Sequence, residues 1–259
     1  MNTYVSHLFN LEGKTALMTG AGGFLVGEMS RAAGLAGMRV VCCDIRLEDA
    51  QRTANEVTAA GGTAMALQLD VRDPKSFQAA LSATLAAYGR LDCVVNGAGA
   101  NAPTPFFEIT LEEWNNILTV QLTGTMLSCQ VFGKHMVDQR SGSIVNISSA
   151  SSGPPLSKAF TYSVAKTGVK SLSQNLAREW GTLGVRVNSL RPGFFPTEWS
   201  MKHFITPERE AAILGHTPMR RYGKPAELVG AVLWLFSDAS SFVTGAEIAV
   251  DGGFTAMTI

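Results

Sequence analysis

Residues 15–27 read TALMTGAGGFLVG and join a short apolar run to a glycine-rich turn. The run Thr15–Thr19 is apolar through its centre, which is typical of a strand buried on both faces of a parallel sheet. The turn opens a helix-length segment, Phe24–Ala36. Glycines let a backbone approach a pyrophosphate, and a helix N-terminus offers unpaired N–H groups and the positive end of its dipole. The stretch therefore predicts a strand, a phosphate-binding turn and a helix; a turn that binds nothing is the alternative.

The same alternation of apolar runs and helix-length segments continues to the end of the chain. It predicts strands at Thr15–Thr19, Arg39–Asp44, Thr63–Leu69, Cys93–Asn96, Ser143–Ser148, Arg186–Arg191 and Glu247–Val250. It predicts helices at Phe24–Ala36, Leu47–Ala60, Pro74–Tyr88, Leu111–Val137, Phe160–Gly181 and Pro225–Ser237. Short links between strands and helices favour right-handed βαβ units. We expect one α/β domain over residues 1–259, a doubly wound parallel sheet of seven strands with helices on both faces.

One long irregular segment interrupts this pattern between Gly193 and Tyr222. Four prolines lie in or beside it, among scattered aromatic residues. A loop of this length usually serves as a lid or a binding loop. We therefore predict a substrate lid over residues 194–222.

The composition argues against several classes of partner. The 21 basic and 21 acidic residues balance, so no charge excess points to nucleic acid or to a membrane surface. The four cysteines, Cys42, Cys43, Cys93 and Cys129, show no metal-binding spacing, and reduced thiols in a cytosol explain them best. No signal-like start and no run of ~18 apolar residues is present. We expect a cytoplasmic protein that binds a small molecule.

Three further predicted strand ends carry candidate cofactor contacts. The second strand ends at Asp44, where a carboxylate can accept both ribose hydroxyls of adenosine and repel a 2′-phosphate. This favours NAD over NADP, although Arg46 follows closely. Asp70-Val71 ends the third strand and Asn96-Gly-Ala98-Gly99 ends the fourth. A turn-capping acid or a plain glycine turn would explain any one of these alone, but successive strand ends indicate a binding edge.

Ser149, Tyr162 and Lys166 are the candidate catalytic residues. Four residues separate Tyr162 from Lys166, so on a helix their Cβ atoms lie about 5–6 Å apart on one face. A phenol has a pKa of ~10, and an adjacent cation favours its ionised form. Ser149 follows the buried run Ser143–Ser148. Each residue alone is ordinary, but together they suit proton transfer in carbonyl and alcohol redox chemistry.

These motifs together resemble the short-chain dehydrogenase/reductase family, and the resemblance covers essentially the whole chain. Its motifs are similar to Thr19–Gly27, Asp70, Asn96–Gly99, the set Ser149, Tyr162 and Lys166, Pro192–Thr197 and Gly245–Gly253. The resemblance implies a Rossmann fold, a nicotinamide nucleotide and a homotetramer joined through helices 111–137 and 160–181. It implies nucleotide contacts from Gly20, Gly23, Phe24, Leu25, Asp44, Asp70, Val71, Asn96, Ala98, Gly99, Tyr162, Lys166, Pro192 and Thr197.

Three departures from the family pattern affect the interpretation. Phe24 and Val26 stand at usual glycine positions, and Gly97 replaces an asparagine. These two departures look like the mannonate (fructuronate) and gluconate dehydrogenase subgroup, as does His216–Met219. Gln121 stands where the family has a fourth catalytic residue, asparagine, in a water-linked proton relay to the lysine. The longer amide predicts a relay that is shifted rather than lost.

The subgroup implies oxidation of a sugar, sugar acid or polyol, with specificity set by the lid. Lid residues Glu198, Trp199, Lys202, His203 and Phe204 mix charge with aromatic faces, and Lys202, His203, Arg220 or Arg221 could bind a carboxylate. Two alternatives stay open. One is a 3-oxoacyl thioester reductase that uses NADPH, and the other is a weakly catalytic NAD-binding scaffold.

Overall fold

Seven parallel strands form one sheet in the order β3-β2-β1-β4-β5-β6-β7. The computed structural model describes residues 3–258, with the side chains of Trp199, His203 and Phe204 left out of the description. The strands are β1 (Thr15–Thr19), β2 (Arg39–Asp44), β3 (Thr63–Gln68), β4 (Cys93–Asn96), β5 (Gly142–Ile147), β6 (Val185–Pro192) and β7 (Glu247–Val250). The predicted parallel seven-stranded sheet is confirmed, with strand ends shifted by at most one residue.

Helices cover both faces of this sheet. They are α1 (Thr3–Leu8), α2 (Phe24–Leu35), α3 (Leu47–Ala59), α4 (Pro74–Tyr88), α5 (Leu111–Leu118), α6 (Gly124–Ser128), α7 (Lys134–Gln139), α8 (Phe160–Trp180), α9 (Glu198–Phe204), α10 (Pro207–Gly215) and α11 (Ala226–Phe236). Strand residues alternate between two apolar cores. Ala16 and Met18 pack with α2, α3 and α11, whereas Leu17 packs with α4, α7 and α8. This double burial explains why the strand sequences are apolar throughout.

The predicted helix Leu111–Val137 is not a regular α-helix. Two π-helical turns, Thr119–Thr123 and Cys129–Gly133, separate α5, α6 and α7. Such turns insert an extra residue into a helix and are frequent at functional sites. The first of them contains Gln121, whose buried side chain extends toward the loop after β4. Periodicity alone could not indicate this local widening.

The segment between β6 and α11 leaves the sheet, as expected, but it is more ordered than its prolines suggested. It contains α9 and α10, which the sequence analysis missed. Thr197 and Thr206 cap these helices through their side chains, and Pro207 begins the second one. A threonine followed by proline and glutamate is a helix-start signal that was available in the sequence. The helix α1 was also missed, because all of its residues remain outside the core.

Among residues 3–258, no helix combines the length and the apolar character that a bilayer crossing requires.

Candidate active site

A cleft of about 460 Å³ lies at the carboxyl edge of the sheet, where the strand order reverses between β1 and β4. Open α/β sheets bind ligands at such a reversal. Its walls come from the turn after β1 and from the ends of β2, β3 and β4. The predicted contacts among the lining residues are Gly20, Gly23, Asp44, Asp70, Val71, Ala98 and Gly99.

The glycine turn is shaped partly by the protein's own packing. Gly20 has a φ of +77°, and a Cβ there would lie 2.8 Å from the Cα of Ala98. A Cβ on Gly22 would lie 2.9 Å from Asp44 Oδ2. These two glycines therefore allow the turn to approach the neighbouring strand ends, a requirement that exists even before a ligand binds.

The N-terminus of α2 faces this turn without a side-chain cap. Gly23 is its N-cap residue, and its first turn contains no acidic residue. Phe24 is half exposed and Leu25 packs against the core, so their side chains lie outside the cleft lining and their contribution would be backbone N–H groups. An uncapped helix N-terminus on a glycine-lined cleft fits a pyrophosphate.

Asp44 stands at the end of β2 with its carboxylate against the glycine turn. Oδ2 accepts from the Gly22 N–H at 3.1 Å, and Oδ1 accepts from the Arg46 N–H at 3.2 Å. The Arg46 guanidinium pairs with Asp49, as does that of Arg52. Asp49 therefore engages Arg46, the basic residue that could otherwise have favoured NADP over NAD.

Asp70 was expected to contact the cofactor, but in the structure its carboxylate already has a cationic partner, Arg72. Arg72 donates from Nη2 to Oδ2 at 2.7 Å and from Nε to Oδ1 at 2.9 Å. This pairing lowers the pKa of Asp70. Val71 lines the cleft and packs closely on Gly124, where a Cβ would lie 2.9 Å from the valine Cβ.

Asn96 lies beneath the cleft rather than in its wall. Its Nδ2 donates to Asn146 Oδ1 at 2.8 Å, and Asn146 Nδ2 donates to Ser173 Oγ at 2.9 Å. This buried chain of hydrogen bonds joins β4, β5 and α8. The arrangement gives the Asn96 side chain a positioning role, while the backbone after it forms the cleft wall.

Gln121 closes the cleft from the side of the interrupted helix. Its Nε2 donates to the Ala100 carbonyl at 2.7 Å, and its amide lies against Gly99. Its buried Oε1 has no donor among the described residues. The described hydrogen bonds do not join Gln121 to Lys166, whose ammonium has another acceptor. An orphaned buried acceptor beside the cleft is consistent with a bound ligand or water there.

A second cavity, of about 500 Å³, adjoins the carboxyl ends of β5 and β6. Ser149 and Tyr162 both line it, opposite residues of the segment after β6. Ser149 follows β5 by two residues, and its hydroxyl accepts from the Ser151 N–H at 3.2 Å. We call this space the substrate cavity. Its lining comprises Asn101, Ser149, Ser151, Leu156, Lys158, Ala159, Tyr162, Gly193, Phe194, Phe195, Pro196, Ser200, Ile205, Arg209 and Ile213.

Lys166 is buried behind Tyr162, one helical turn along α8. Its Nζ donates to the Ile147 carbonyl at 2.7 Å and lies 5.6 Å from the centre of the Tyr162 ring. The structure therefore brings the predicted hydroxyl, phenol and amine together. Of these three residues, Ser149 and Tyr162 line the substrate cavity and Lys166 does not.

The electrostatics of this group differ from the sequence-based expectation. Burial raises the pKa of Tyr162, although a hydrogen bond with Ser149 opposes the shift. Burial also lowers the pKa of Lys166 to about 7. Both directions are opposite to those expected for a phenol activated by a fixed cation, because loss of water disfavours both charged forms. Tyr162 is therefore a protonated donor at neutral pH.

The last predicted contacts come from the segment 192–197. Pro192 is buried at the end of β6. The Thr197 hydroxyl accepts from the Ser200 N–H at 3.1 Å and caps α9. Neither residue is in the lining of the cleft or of the substrate cavity.

Two of the cations predicted to bind a carboxylate are engaged elsewhere. Arg220 donates to the carbonyls of Leu214 and Gly215, and Arg221 pairs with Glu227 at 2.6 Å. That pairing lowers the pKa of Glu227 to about 2. Lys202 is exposed on α9, and the His203 side chain lies outside the described residues, with those of Trp199 and Phe204.

The cationic residues in the substrate cavity are instead Lys158 and Arg209, which the sequence analysis did not single out. Neither belongs to a motif, and the fold joins them across 51 residues of sequence, so no local signal could have paired them.

Comparison with known proteins shows the family to which this chain is related. A family profile described as enoyl-(acyl carrier protein) reductase matches residues 27–255. The D-threitol dehydrogenase of Mycolicibacterium smegmatis is 36% identical, over 95% of this chain and 95% of that protein.

Two solved structures are similar over nearly their whole length. A gluconate 5-dehydrogenase from Burkholderia cenocepacia, in complex with NADP and tartrate, has a TM-score of 0.93 at 30% identity, over 98% of this chain and 100% of that one. A Haemophilus influenzae protein assigned as a D-mannonate oxidoreductase, with bound NAD, has a TM-score of 0.91 at 30% identity, over 98% and 99%.

Proposed function

Because this chain belongs to the short-chain dehydrogenase/reductase family of oxidoreductases, we propose that it interconverts a secondary alcohol and a ketone on a sugar, sugar acid or polyol, with NAD(H). One observation carries the proposal: Ser149 and Tyr162 line one cavity, and another residue of its lining, Asn101, directly follows Ala100 in the wall of the nucleotide-sized cleft. The similar D-threitol and gluconate dehydrogenases support this substrate class.

A nicotinamide nucleotide, when bound, would supply the hydride acceptor or donor. The turn from Gly20 to Gly23 and the N-terminus of α2 would hold its pyrophosphate. Asp44 would accept from the adenosine ribose, and Val71 and Ala98 would bound the cleft. Asp70, Asn96, Pro192 and Thr197 stay predicted contacts, of which Asp70 would have to share its carboxylate with Arg72.

Ser149 and Tyr162 would act on the substrate oxygen. Ser149 can donate a hydrogen bond to that oxygen and stabilise charge that develops on it. Tyr162 donates the proton when a ketone is reduced, since burial keeps the phenol protonated at neutral pH. In the oxidation direction the phenolate must accept a proton, so oxidation should become faster as pH rises.

Lys166 and Gln121 would act behind the reacting groups. Lys166 is close enough to Tyr162 that its ammonium form, when present, would favour ionisation of the phenol. We assign Gln121 to a relay shifted toward Ala100, through waters between its amide and Lys166.

We infer a preference for NAD over NADP from the Asp44 carboxylate and from the engagement of Arg46 by Asp49. Both nucleotides occur among the similar structures. A 2′-phosphate would lie near the acidic end of β2, where its charge is repelled.

We propose a single catalytic domain over residues 1–259, with residues 194–222 as its substrate lid, acting as a cytoplasmic homotetramer. The four cysteines are buried free thiols, which suits a reducing compartment. Leu111, Phe160 and Val164 expose apolar side chains on α5 and α8, the helices expected to join subunits. Size-exclusion chromatography with light scattering tests the assembly.

A substrate panel tests the proposed activity. Sugar acids, polyols and ketoses are offered with NAD(H) and NADP(H), and the nicotinamide absorbance is followed. We expect turnover of a sugar-type substrate with preference for NAD(H). Turnover of a 3-oxoacyl thioester with NADPH, or tight NADH binding with no transfer on any substrate, would replace the proposal with one of the two alternatives.

A further inference from the structure

The substrate cavity has a net positive lining. Its described lining residues include Lys158 and Arg209 and contain no aspartate or glutamate. Glu198, Glu208 and Glu210 belong to the same segment, but none of them lines the cavity. A neutral polyol would not require this excess of positive charge in the lining of the cavity.

Arg209 is held by a serine rather than by an acid. From α10, Nη1 donates to Ser157 Oγ at 2.8 Å and Nη2 donates to the Ser157 carbonyl at 3.1 Å. Among the described residues no carboxylate pairs with Arg209. Seven other arginines have carboxylate partners: Arg31, Arg46, Arg52, Arg72, Arg90, Arg191 and Arg221. Arg39, Arg186 and Arg220 bond to carbonyls, but they lie outside the substrate cavity. Arg209 is therefore a fixed, half-buried guanidinium whose charge is not neutralised by its protein partner.

Lys158 reaches the same cavity from the loop before α8. It has a φ of +60°, a left-handed conformation that is uncommon for a residue with a side chain. Strained backbone of this kind concentrates at ligand-binding sites. The structure gives Lys158 no carboxylate partner within residues 3–258 either. Two elements, α10 and the loop 153–159, thus contribute cations to the lining of one cavity.

We propose that Arg209 and Lys158 form a carboxylate-binding subsite, so that the enzyme selects sugar acids over the corresponding neutral polyols. The inference rests on the proposed function, because it concerns the substrate of that same site. It replaces Lys202, His203, Arg220 and Arg221 as the candidates for this role. A guanidinium offers paired donors that match a carboxylate, while an ammonium supplies a point charge.

The subsite also connects substrate recognition to the lid. Arg209 is the residue that ties α10 to the loop next to Ser149 and Tyr162. A carboxylate bound at the guanidinium would hold α10 against this loop. The hydroxyl-bearing carbon of an acid would then be enclosed more tightly than that of a polyol.

Matched pairs of an acid and its reduced form provide the test. D-Gluconate is compared with D-glucitol, and kcat and KM are measured for the wild type and the Arg209→Gln, Arg209→Lys and Lys158→Gln variants. Lys75→Gln, which removes an exposed charge on α4, is the charge control. Loss of a charge-assisted hydrogen bond should reduce kcat/KM for the acid about tenfold to a hundredfold in Arg209→Gln.

The polyol distinguishes recognition from damage to the fold. For D-glucitol we expect kcat/KM of Arg209→Gln to fall clearly less than for D-gluconate, since the lost hydrogen bond to Ser157 affects both substrates whereas the lost carboxylate contact affects only the acid. Arg209→Lys should recover part of the acid preference. An equal fall for acid and polyol, or an unchanged acid preference, would overturn the proposal.

A binding measurement separates this inference from the proposed activity. L-Tartrate and L-threitol share a carbon skeleton and differ in their carboxylates, and calorimetry measures their binding with no need for turnover. We expect wild type and Lys75→Gln to bind tartrate more tightly than threitol, and Arg209→Gln to lose the difference. That result supports the subsite even if no panel substrate is turned over. Equal binding of both compounds by the wild type would contradict the subsite, even if hydride transfer is observed.

Discussion

Glu247→Ala should destabilise the protein strongly and weaken catalysis, although Glu247 lies outside the substrate cavity. On β7, its Oε2 accepts from Arg191 Nη2 at 2.6 Å and from Lys170 Nζ at 3.2 Å. Its Oε1 accepts from the hydroxyls of Ser148 and Ser152, each at 2.9 Å. These two serines flank Ser149. One carboxylate thus fixes the loop that carries the candidate catalytic hydroxyl.

The magnitude follows from the burial of this pair. The side chains of Arg191 and Glu247 are 13% and 10% exposed, so alanine would leave a buried guanidinium without a counter-charge. Breaking a buried pair in this way costs about 3–5 kcal/mol, whereas the more exposed Lys170 adds little. At roughly 2–4 °C per kcal/mol for a chain of this size class, Tm should fall by about 6–20 °C.

Thermal unfolding and steady-state kinetics measure the two effects. Glu247→Gln keeps an oxygen for the serine hydroxyls, so it should lose less kcat than Glu247→Ala. Asp138→Ala removes an exposed aspartate that pairs with Lys134 on α7 and should leave Tm and kcat nearly unchanged. A Tm for Glu247→Ala within about 2 °C of the wild type would refute the reasoning that this carboxylate stabilises the loop.

Three further changes test separate parts of the site. Asp44→Asn keeps an acceptor for the Gly22 N–H but removes the charge, so the ratio of kcat/KM for NAD over NADP should fall about tenfold; an unchanged ratio would exclude Asp44 as the discriminating group. Because the folded chain lowers the pKa of Lys166, the unfolded chain binds more protons than the folded chain between pH about 7 and 10.5. In denaturant titrations, the free energy of unfolding of the wild type should therefore rise across this pH range relative to that of Lys166→Met. A difference in unfolding free energy that does not change with pH would show that the lysine is not desolvated. Gln121→Leu removes the hydrogen bond to the Ala100 carbonyl, so the Kd for NADH should rise about threefold or more. An unaltered Kd would mean that the loop after β4 keeps its conformation without this hydrogen bond.

The fold was predictable from sequence to a considerable extent, because burial on both faces leaves a clear mark. Thr15–Thr19 and Cys93–Asn96 are apolar runs whose bounds in the structure are those expected from sequence. The helix Thr3–Leu8, which has no buried residue, has no such mark. The π-helical turn at Gln121 depends on a contact with Ala100, which local periodicity does not encode.

The site was predictable where spacing decides geometry, and less so where the environment decides chemistry. A four-residue step along α8 was enough to place Tyr162 beside Lys166. Sequence alone gave no measure of their desolvation, which reverses the expected direction of the Tyr162 pKa. Arg209 and Lys158 come to line one cavity only through the tertiary fold, and Arg72 beside Asp70 changes what that acid can accept.

Tyr162→Phe tests the central claim most directly, since it removes one hydroxyl from the substrate cavity and leaves the glycine-lined cleft intact. NADH binding is measured by fluorescence titration and hydride transfer by nicotinamide absorbance, on the same preparation and with the best substrate of the panel. The account predicts a Kd for NADH within about threefold of the wild type and a kcat lower by about a hundredfold or more. A kcat close to the wild-type value, with NADH still bound, would contradict it.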